Sequence, residues 1–379
     1  PRINAALKDQ LETLEHVILA GFTHEPVVQL SERLSALSGG ALGHAFYASD
    51  GASATEIALK MSHHYWRNSG QPEKTDFLCL EGSYHGETVG ALAVTDVALF
   101  KDAYAPLIRP AAVLPSPDAR RARDGETGED VARRAAAALE AHLQQHHGRI
   151  SALIVEPLIQ CATGMAMHDP LYLSLARQAC DRYGVHLICD EIAVGFGRSG
   201  TFFAHEQATL DGKTVRPDFL CLSKGITGGY LPLSTVLTTD RIYAAFLDDA
   251  VTRGFLHSHS YTGNALACRA ALATLDIFEQ DDVIAANRGL SERLHQLLAP
   301  LRAHPRVEHY RRRGMILAFD IKDAAPGFAR RFYQAGLVRE ILLRPIGNTV
   351  YLMPPYVLSE DEARHLCQGV LATLEAALA

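Results

Sequence analysis

Short apolar runs alternate with segments of helical periodicity from about residue 40 to residue 280. An apolar run of roughly four to eight residues is typical of a buried parallel strand, and the amphipathic segments between such runs are typical of helices that cover a sheet. The sequence predicts strands at 44–48, 76–81, 151–156, 185–190, 219–223 and 233–238, and helices at Ala54–Trp66, Leu171–Tyr183 and 131–145. We therefore expect an α/β fold with a mostly parallel sheet flanked by helices.

The pattern changes after a long helical segment at about 265–303. Apolar segments at 313–319 and 349–353 predict strands of a second sheet, and residues 359–378 predict a terminal helix. We expect a large domain at 31–285 and a smaller α+β C-terminal domain at 286–379. Residues 1–30 are expected to be the remnant of a longer N-terminal segment, because the chain starts at Pro1 close to helical sequence.

Two polar segments are expected at the surface. Residues 115–135 are rich in Pro, Asp, Arg and Gly and predict a surface excursion that leads into a helix. The basic run Arg311–Arg313 is interpreted as a solvated loop, because it is too short to form a nucleic-acid surface on a chain of net charge −7.

Composition excludes several other classes of protein. No apolar stretch reaches about 18 residues, so neither a membrane span nor secretion is expected. The seven cysteines lie mostly in apolar runs, which is typical of reduced thiols in a cytoplasmic protein. The paired histidines at 63–64 and 146–147 lack carboxylates or cysteines at ligand spacing, so we expect no metal.

Two polar side chains follow predicted strands and together indicate a cofactor. Asp190 closes the apolar run 185–189, and Lys224 comes shortly after the run 219–222. Open α/β sheets bind ligands at the carboxyl ends of their strands. Pyridoxal phosphate needs a lysine to hold its aldehyde as a Schiff base and an acid to keep its ring nitrogen protonated. Alone, Asp190 could equally cap a loop or bind a metal, and Lys224 could be a surface lysine.

A phosphate anchor is predicted where the first strand runs into a helix. Backbone N–H groups and the helix dipole would meet a phosphate at Gly51 and Ala52. The alternative is an ordinary capping box formed by Ser53 and Glu56. A second helix-leading turn, Ser260–Asn264, lies close to His257 and His259 and is also suited to phosphate oxygens.

Two side chains are placed to enclose a cofactor ring. Tyr84 follows the strand at 76–81 and could stack on the ring, although an aromatic residue in a turn can also serve packing alone. Ile192 lies two residues after Asp190, so it points to the same side and could press on the other face.

The glycine pattern Gly195-Phe196-Gly197-Arg198-Ser199-Gly200 indicates a rival class, the nicotinamide-dependent oxidoreductases. That motif should follow its strand directly and open a helix, whereas here residues intervene and Thr201–Phe203 is a poor helix start. A loop that carries Arg198 toward substrate is the better interpretation.

Taken together, these residues resemble the class III aminotransferases, which have the fold type I architecture of pyridoxal phosphate transferases. The similarity covers essentially the whole chain, and its most specific segments are Tyr84–Gly86, Asp190–Ala193, Gly195–Gly200, Leu222–Gly225 and Tyr351–Tyr356.

The resemblance assigns roles to the cofactor residues. It implies Lys224 as Schiff-base and proton-shuttling residue, Asp190 on the ring nitrogen, Gly51 and Ala52 on the phosphate, and Tyr84 on the ring. It further implies that Ser260 reaches the cofactor phosphate of the neighbouring subunit, so that a homodimer would share its active sites.

The resemblance also suggests the substrate residues. Arg344 matches the residue that holds a substrate carboxylate, Arg198 is a second candidate, and Tyr356 borders the same pocket with Tyr84. Ala193 and the segment Met353–Tyr356 are most similar to the branch of the family that makes a diamine in biotin synthesis. That branch implies S-adenosylmethionine as amino donor and 8-amino-7-oxononanoate as acceptor. The alternative within the class is an ω-amino acid:pyruvate transaminase.

Two departures from the family pattern lie near the site. Ala52 and Ser53 follow Gly51 where the family usually has Ser-Gly-Ser, so a hydroxyl contact to phosphate is expected to be lost or shifted. Cys161 stands in a segment that is normally richer in glycine.

Overall fold

The computed structural model of the protein describes residues 1–378. The α-helices are α1 (Arg2–Leu11), α2 (Glu25–Leu37), α3 (Gly51–Asn68), α4 (Val89–Ala93), α5 (Ala98–Lys101), α6 (Gly128–His146), α7 (Leu171–Tyr183), α8 (Asp240–Ala244), α9 (Ala265–Gln280), α10 (Val283–Leu297), α11 (Ala299–Arg302), α12 (Phe328–Leu337) and α13 (Glu360–Leu378). The β-strands are β1 (His44–Ala48), β2 (Asp76–Leu80), β3 (Ala112–Leu114), β4 (Ile150–Val155), β5 (Ile159–Gln160), β6 (Ala166–Met167), β7 (His186–Asp190), β8 (Thr209–Leu210), β9 (Lys213–Thr214), β10 (Phe219–Leu222), β11 (Ser234–Thr238), β12 (Val307–Arg313), β13 (Ile316–Ile321) and β14 (Thr349–Leu352).

A seven-stranded sheet forms the centre of the fold, in the order β1-β11-β10-β7-β4-β2-β3. The run from β10 to β3 is parallel, and β11 is antiparallel to both of its neighbours. The predicted α/β class is confirmed. Only β3 among these strands was not predicted, because two of its three residues are exposed at the sheet edge and leave no apolar run.

Alternating side chains of the parallel strands fill two cores, one on each face of the sheet. Leu153 and Val155 of β4 belong to the core beneath α6 and α7. Ala152 and Ile154 of the same strand belong to the core beneath α3. Because both faces are covered, β4 is buried at every position, and this explains its continuous apolar sequence.

A second, antiparallel sheet follows in the order β12-β13-β14 and has its own core with helices α10 to α13. The strand predicted at 313–319 is divided by a turn at Gly314, with Arg313 ending β12 and Ile316 beginning β13. The division into two domains at residue 285 stays a prediction.

One surface prediction is wrong, and the other is confirmed over most of its length. Arg311–Arg313 lie in strand β12 rather than in a solvated loop, and the Arg311 side chain is only 10% exposed in an ion pair with Asp320. The segment 115–135 leads into α6 as predicted, and residues 119–130 are exposed or partly exposed, whereas Ser116 and Asp118 are buried. Residues 311–313 look like surface sequence because they are basic, but Asp320 pairs with Arg311 and Glu292 pairs with Arg312.

Candidate active site

The ends of four adjacent parallel strands meet at one edge of the large sheet, where open α/β sheets bind ligands. The chain supplies Tyr84 and His85 after β2, Glu156 after β4, Asp190 at the end of β7 and Lys224 after β10. These strands are direct neighbours in the sheet. Both polar groups of the predicted Asp190–Lys224 pair therefore lie at the same edge.

Asp190 is buried and held on both carboxylate oxygens. The Nδ1 atom of His85 lies 2.7 Å from Oδ2, and the backbone N–H of Ile192 donates to Oδ1 at 3.0 Å. His85 is in turn fixed through its backbone by Thr55 and Thr95. The Nε2 atom of His85 is buried and has no hydrogen-bond partner within residues 1–378. Sequence reasoning gave this imidazole no role.

Glu156 is a second buried acid, which sequence reasoning missed. Its carboxylate accepts the backbone N–H of Tyr84 at 3.2 Å and that of Cys161 at 3.1 Å. Burial raises the pKa of Glu156 to about 7; the charge of Asp190 adds to the rise and that of His85 opposes it. The available signal was the one that identified Asp190, an acid directly after a buried apolar run.

Helix α3 presents its N-terminus to this edge. The N-cap is Asp50, whose carboxylate accepts the backbone N–H of Ser53 at 2.9 Å. The alternative capping box is wrong, because Glu56 instead accepts the N–H of Gly90 at 2.8 Å. The first-turn N–H groups of Gly51 and Ala52 therefore remain available to an anion.

Close backbone packing joins the helix start to the acid and to the Tyr84 turn. A Cβ atom on Gly51 would lie 2.9 Å from Cγ2 of Ile192, and one on Gly86 would lie 2.7 Å from Cβ of Ala52. Both positions are therefore restricted to glycine. Gly51 thus packs against Ile192, and Ala52 packs against Gly86.

Lys224 begins a 3₁₀ turn, Lys224–Thr227, directly after β10. Its side chain is exposed, and its φ of +44° lies in the left-handed region. Such a conformation costs a non-glycine residue on the order of 1–3 kcal/mol and is concentrated at functional sites. The Ser223 hydroxyl donates to the carbonyl of Leu233 at 2.8 Å and anchors the strained turn.

The pKa of the Cys161 thiol responds to several charged groups of the site. Burial raises the pKa of its thiol, the charges of Glu156 and Asp190 raise it further, and those of Lys224 and Arg198 lower it. Four ionisable groups from four separate segments thus act on one side chain. Cys161 is the residue that departs from the glycine-rich family pattern.

Arg198 and Tyr356 are brought into direct contact. The guanidinium carbon lies 4.3 Å from the centre of the Tyr356 ring, and Nη1 donates to the carbonyl of Pro354 at 2.7 Å. Burial lowers the pKa of Arg198, and no carboxylate within residues 1–378 forms an ion pair with it. This arrangement is suited to a carboxylate ligand.

The glycine pattern around Arg198 does not form a dinucleotide site. Residues 191–203 form turns and bends, and no α-helix opens after Gly200. The segment is a loop, and the oxidoreductase alternative loses its structural support.

Three predicted site residues are exposed or only half-buried. Arg344 and Ser260 are exposed, and within residues 1–378 neither side chain forms a hydrogen bond or ion pair. Tyr84 is half-buried; its hydroxyl donates to Glu87 at 2.8 Å, and burial, reinforced by Glu87, raises its pKa to about 12. The structure thus brings neither Arg344 nor Ser260 into contact with the Asp190 cluster.

The residues fit pyridoxal phosphate. The edge offers an oriented buried acid, a lysine amine, and the N-terminus of an 18-residue helix, which match a ring nitrogen, an aldehyde and a phosphate. The buried Nε2 atom of His85 has no partner among the described residues and can still form a hydrogen bond. Across residues 1–378, no cluster of His, Cys, Asp or Glu is placed to hold a metal ion, and no helix has the length and apolar character needed to cross a membrane.

Comparisons with known proteins show the family of the chain. The family model described as aminotransferase class-III matches residues 1–374. A Helicobacter pylori protein named adenosylmethionine-8-amino-7-oxononanoate aminotransferase is 44% identical, with 98% of this chain and 84% of the relative aligned.

Two solved structures are similar over nearly the whole chain. The Methanocaldococcus jannaschii protein of the same name has a TM-score of 0.90 and 33% identity, covering 99% of this chain and 84% of that one. An amine transaminase from an uncultivated Pseudomonas species, solved with pyridoxal phosphate bound, has a TM-score of 0.90 and 32% identity, covering 99% and 86%. The chain belongs to the class III aminotransferases, and its cofactor is pyridoxal phosphate.

Proposed function

We propose that the protein transfers the amino group of S-adenosylmethionine to 8-amino-7-oxononanoate, which yields 7,8-diaminononanoate for biotin synthesis. One observation carries this proposal. Several relatives, 33–44% identical over 93–99% of this chain, bear the name adenosylmethionine-8-amino-7-oxononanoate aminotransferase.

Each of the residues at the sheet edge would bind a different part of the cofactor. Nζ of Lys224 would bind the aldehyde carbon, and Asp190 would hold the proton on the ring nitrogen with its carboxylate oriented by His85. The free N–H groups of Gly51 and Ala52 would bind the phosphate, while Tyr84 and Ile192 would lie on the two ring faces. Bound pyridoxal phosphate supplies an electron sink for the electrons released when a Cα–H bond breaks.

Lys224 is proposed to move the proton. Its amine would take the proton from the substrate's Cα and return one during the second half of the reaction, as a general base and then a general acid. The strained turn places this residue at the strand end, since Ser223 and the 3₁₀ turn fix its backbone on both sides.

Two arginines are proposed to bind substrate carboxylates. Arg344 is exposed and free to reach a ligand, whereas Arg198 is fixed on Tyr356 and lacks an acidic partner within the described residues. A guanidinium forms bidentate bonds with a carboxylate, which suits both substrates because each carries one. Tyr84 and Tyr356 would border the pocket.

We also propose that the chain acts as a homodimer in the cytoplasm. Ser260 would reach the neighbouring subunit's cofactor phosphate, and the exposed Leu256 and Tyr261 on either side of it supply apolar surface for such a contact. None of the seven cysteines forms a disulfide in the structure, as suits a reducing compartment. Light scattering would measure the mass, and a monomer that is fully active would contradict shared sites.

The amino donor is tested by mixing the holoenzyme with S-adenosylmethionine and following the absorbance of the bound cofactor. Loss of its visible band with S-adenosylmethionine, and not with β-alanine, is the expected result. The reverse pattern would favour an ω-amino acid:pyruvate transaminase. That second candidate is supported by the 32% identical amine transaminase structure.

A further inference from the structure

Glu156 is a buried acid that has none of the cofactor-binding roles proposed above. It follows β4 directly and is 5% exposed. Its two carboxylate oxygens bind two different segments, Oε2 the backbone of Tyr84 and Oε1 the backbone of Cys161. The carboxylate therefore ties the turn after β2 to the loop after β4 at the edge where the site lies.

The surroundings of Glu156 contain two acids and one imidazole. The charge of Asp190, at the end of the adjoining strand β7, raises the pKa of Glu156. The charge of His85, in the Tyr84 turn, lowers it. The phenol of Tyr84 and the thiol of Cys161 also respond to the charge of Glu156. The charges of Lys224 and Arg198 act on the pKa of the same thiol in the opposite direction and lower it. No cation within residues 1–378 forms an ion pair with Glu156.

We propose that Glu156 is a positioning residue that holds the Tyr84 turn and the Cys161 loop together and, when ionised, adds its negative charge to that of Asp190 in favour of a protonated cofactor ring. This inference rests on the cofactor site proposed above. Since the group reaches the reaction only through the Tyr84 turn and Asp190, it is not a catalytic residue.

The charge of Glu156 should change in the physiological range, because its pKa is raised to about 7 by burial. A folded-state pKa above the unfolded value means that the folded protein binds the extra proton. Its stabilising effect is complete below the unfolded pKa of about 4.3 and is lost as the pH rises through about 7. Ionised Glu156 thus costs folding stability but strengthens the negative field around Asp190.

The test compares the wild type with Glu156→Gln, in which the side chain keeps its size and loses its charge. In cofactor-free protein, the unfolding midpoint of the variant should rise relative to that of the wild type between about pH 5 and about pH 8, because only the wild-type side chain ionises. For cofactor binding, the variant should be about tenfold weaker at about pH 8 and nearly unchanged at about pH 5, since one pKa unit of interaction corresponds to tenfold. Glu129→Gln, at an exposed site on α6, is the control and should change neither profile.

A constant offset at every pH, in stability and in affinity, would show a purely structural role and overturn the proposal. If Glu156→Gln fails to fold, Glu156→Asp replaces it: that variant keeps the charge and should keep a pH-dependent affinity, and a flat profile would again overturn the proposal. Lys224→Ala separates the two hypotheses, because cofactor that binds it with an unchanged spectrum would contradict the proposed site whatever Glu156 does.

Discussion

Two clusters of buried charge lie at opposite ends of the loop at 161–165. The site cluster, His85, Glu156 and Asp190, meets the loop at the backbone of Cys161. The inter-sheet cluster, Asp118, Arg120, Arg311 and Asp320, meets it at the carbonyls of Thr163, Gly164 and Met165. The first contains two acids and one imidazole, whereas the second contains two acids and two guanidinium groups.

The inter-sheet cluster is balanced. Arg311 lies 2.9 Å and Arg120 lies 3.2 Å from the carboxylate of Asp320, and Arg120 also lies 2.8 Å from Asp118. Burial would raise the pKa of Asp320, but the Thr349 hydroxyl and the two arginines outweigh it, so that the pKa is lowered. Each charge has an opposite partner, and the cluster joins β13 of the second sheet to the loop between β5 and β6.

The site cluster is left incomplete. The Nε2 of His85 has no partner in residues 1–378. No cation there forms an ion pair with Glu156, whose pKa is raised by burial. Burying a charge costs several kcal/mol unless a partner compensates it, on the order seen for buried ion pairs. The difference indicates that balanced buried charge stabilises the fold, whereas unbalanced buried charge marks the place where a ligand completes the balance.

The largest effect is expected at Lys224. Lys224→Ala removes both the amine that binds the aldehyde and the proposed proton carrier, so kcat should fall by about 10³–10⁴-fold. Steady-state kinetics would measure it, with Lys213→Ala as the control, since Lys213 is an exposed lysine of β9. Turnover of Lys224→Ala within about tenfold of the wild type would contradict the role.

Asp320→Asn should break the balanced cluster. Two partly buried arginines lose the buried carboxylate that they share, so the free energy of unfolding should fall by about 3 kcal/mol at neutral pH. The lowered pKa of Asp320 supplies stability above its unfolded pKa of about 3.9 that is lost as the pH falls toward the folded value, so the deficit should shrink in acid. Chemical denaturation at several pH values measures this.

The control for that prediction is Arg133→Ala, which removes an exposed pair with Glu129 on α6 and should leave the unfolding midpoint nearly unchanged. An equal loss in both variants would mean that burial of the inter-sheet cluster adds nothing.

Asp190→Asn tests the unbalanced cluster. The amide keeps the size of the side chain but cannot hold a proton on a ring nitrogen by its charge, so kcat/KM should fall by about 100-fold while the unfolding midpoint changes little. This pattern is the opposite of that expected for Asp320→Asn. A variant that loses stability and keeps its activity would remove the contrast between the clusters.

The smallest effect is expected at Arg344, which is exposed and unpaired in the described chain. If it binds a substrate carboxylate, Arg344→Ala loses a charge-assisted interaction of about 1.5–3 kcal/mol, and KM should rise by about 10–100-fold with little change in kcat. Arg330→Ala, at an exposed position on α12, is the matched control. An unchanged KM in Arg344→Ala would leave Arg198 as the carboxylate-binding residue.

The predicted strands of the large sheet lie within one or two residues of the observed ones, because their apolar runs are covered on both faces. Asp190 and Lys224 could be predicted for the same reason, since each follows such a run at a strand end. Glu156 carries the same signal but was missed, because no cofactor requirement directed attention to a second acid.

What the sequence by itself determined is the local part: strand and helix patterns, the polar residues at strand ends, and the family to which they belong. Only the tertiary structure decided how buried charges are paired. Asp118 and Arg311 look like surface residues, yet little of either side chain is exposed. Arg120, beside Asp118, reaches Asp320 and the carbonyl of Thr163, and Arg311 reaches the carbonyls of Gly164 and Met165, all of them far away in the sequence. Compensation of charge depends on distance in space, and periodicity along a sequence does not contain that information.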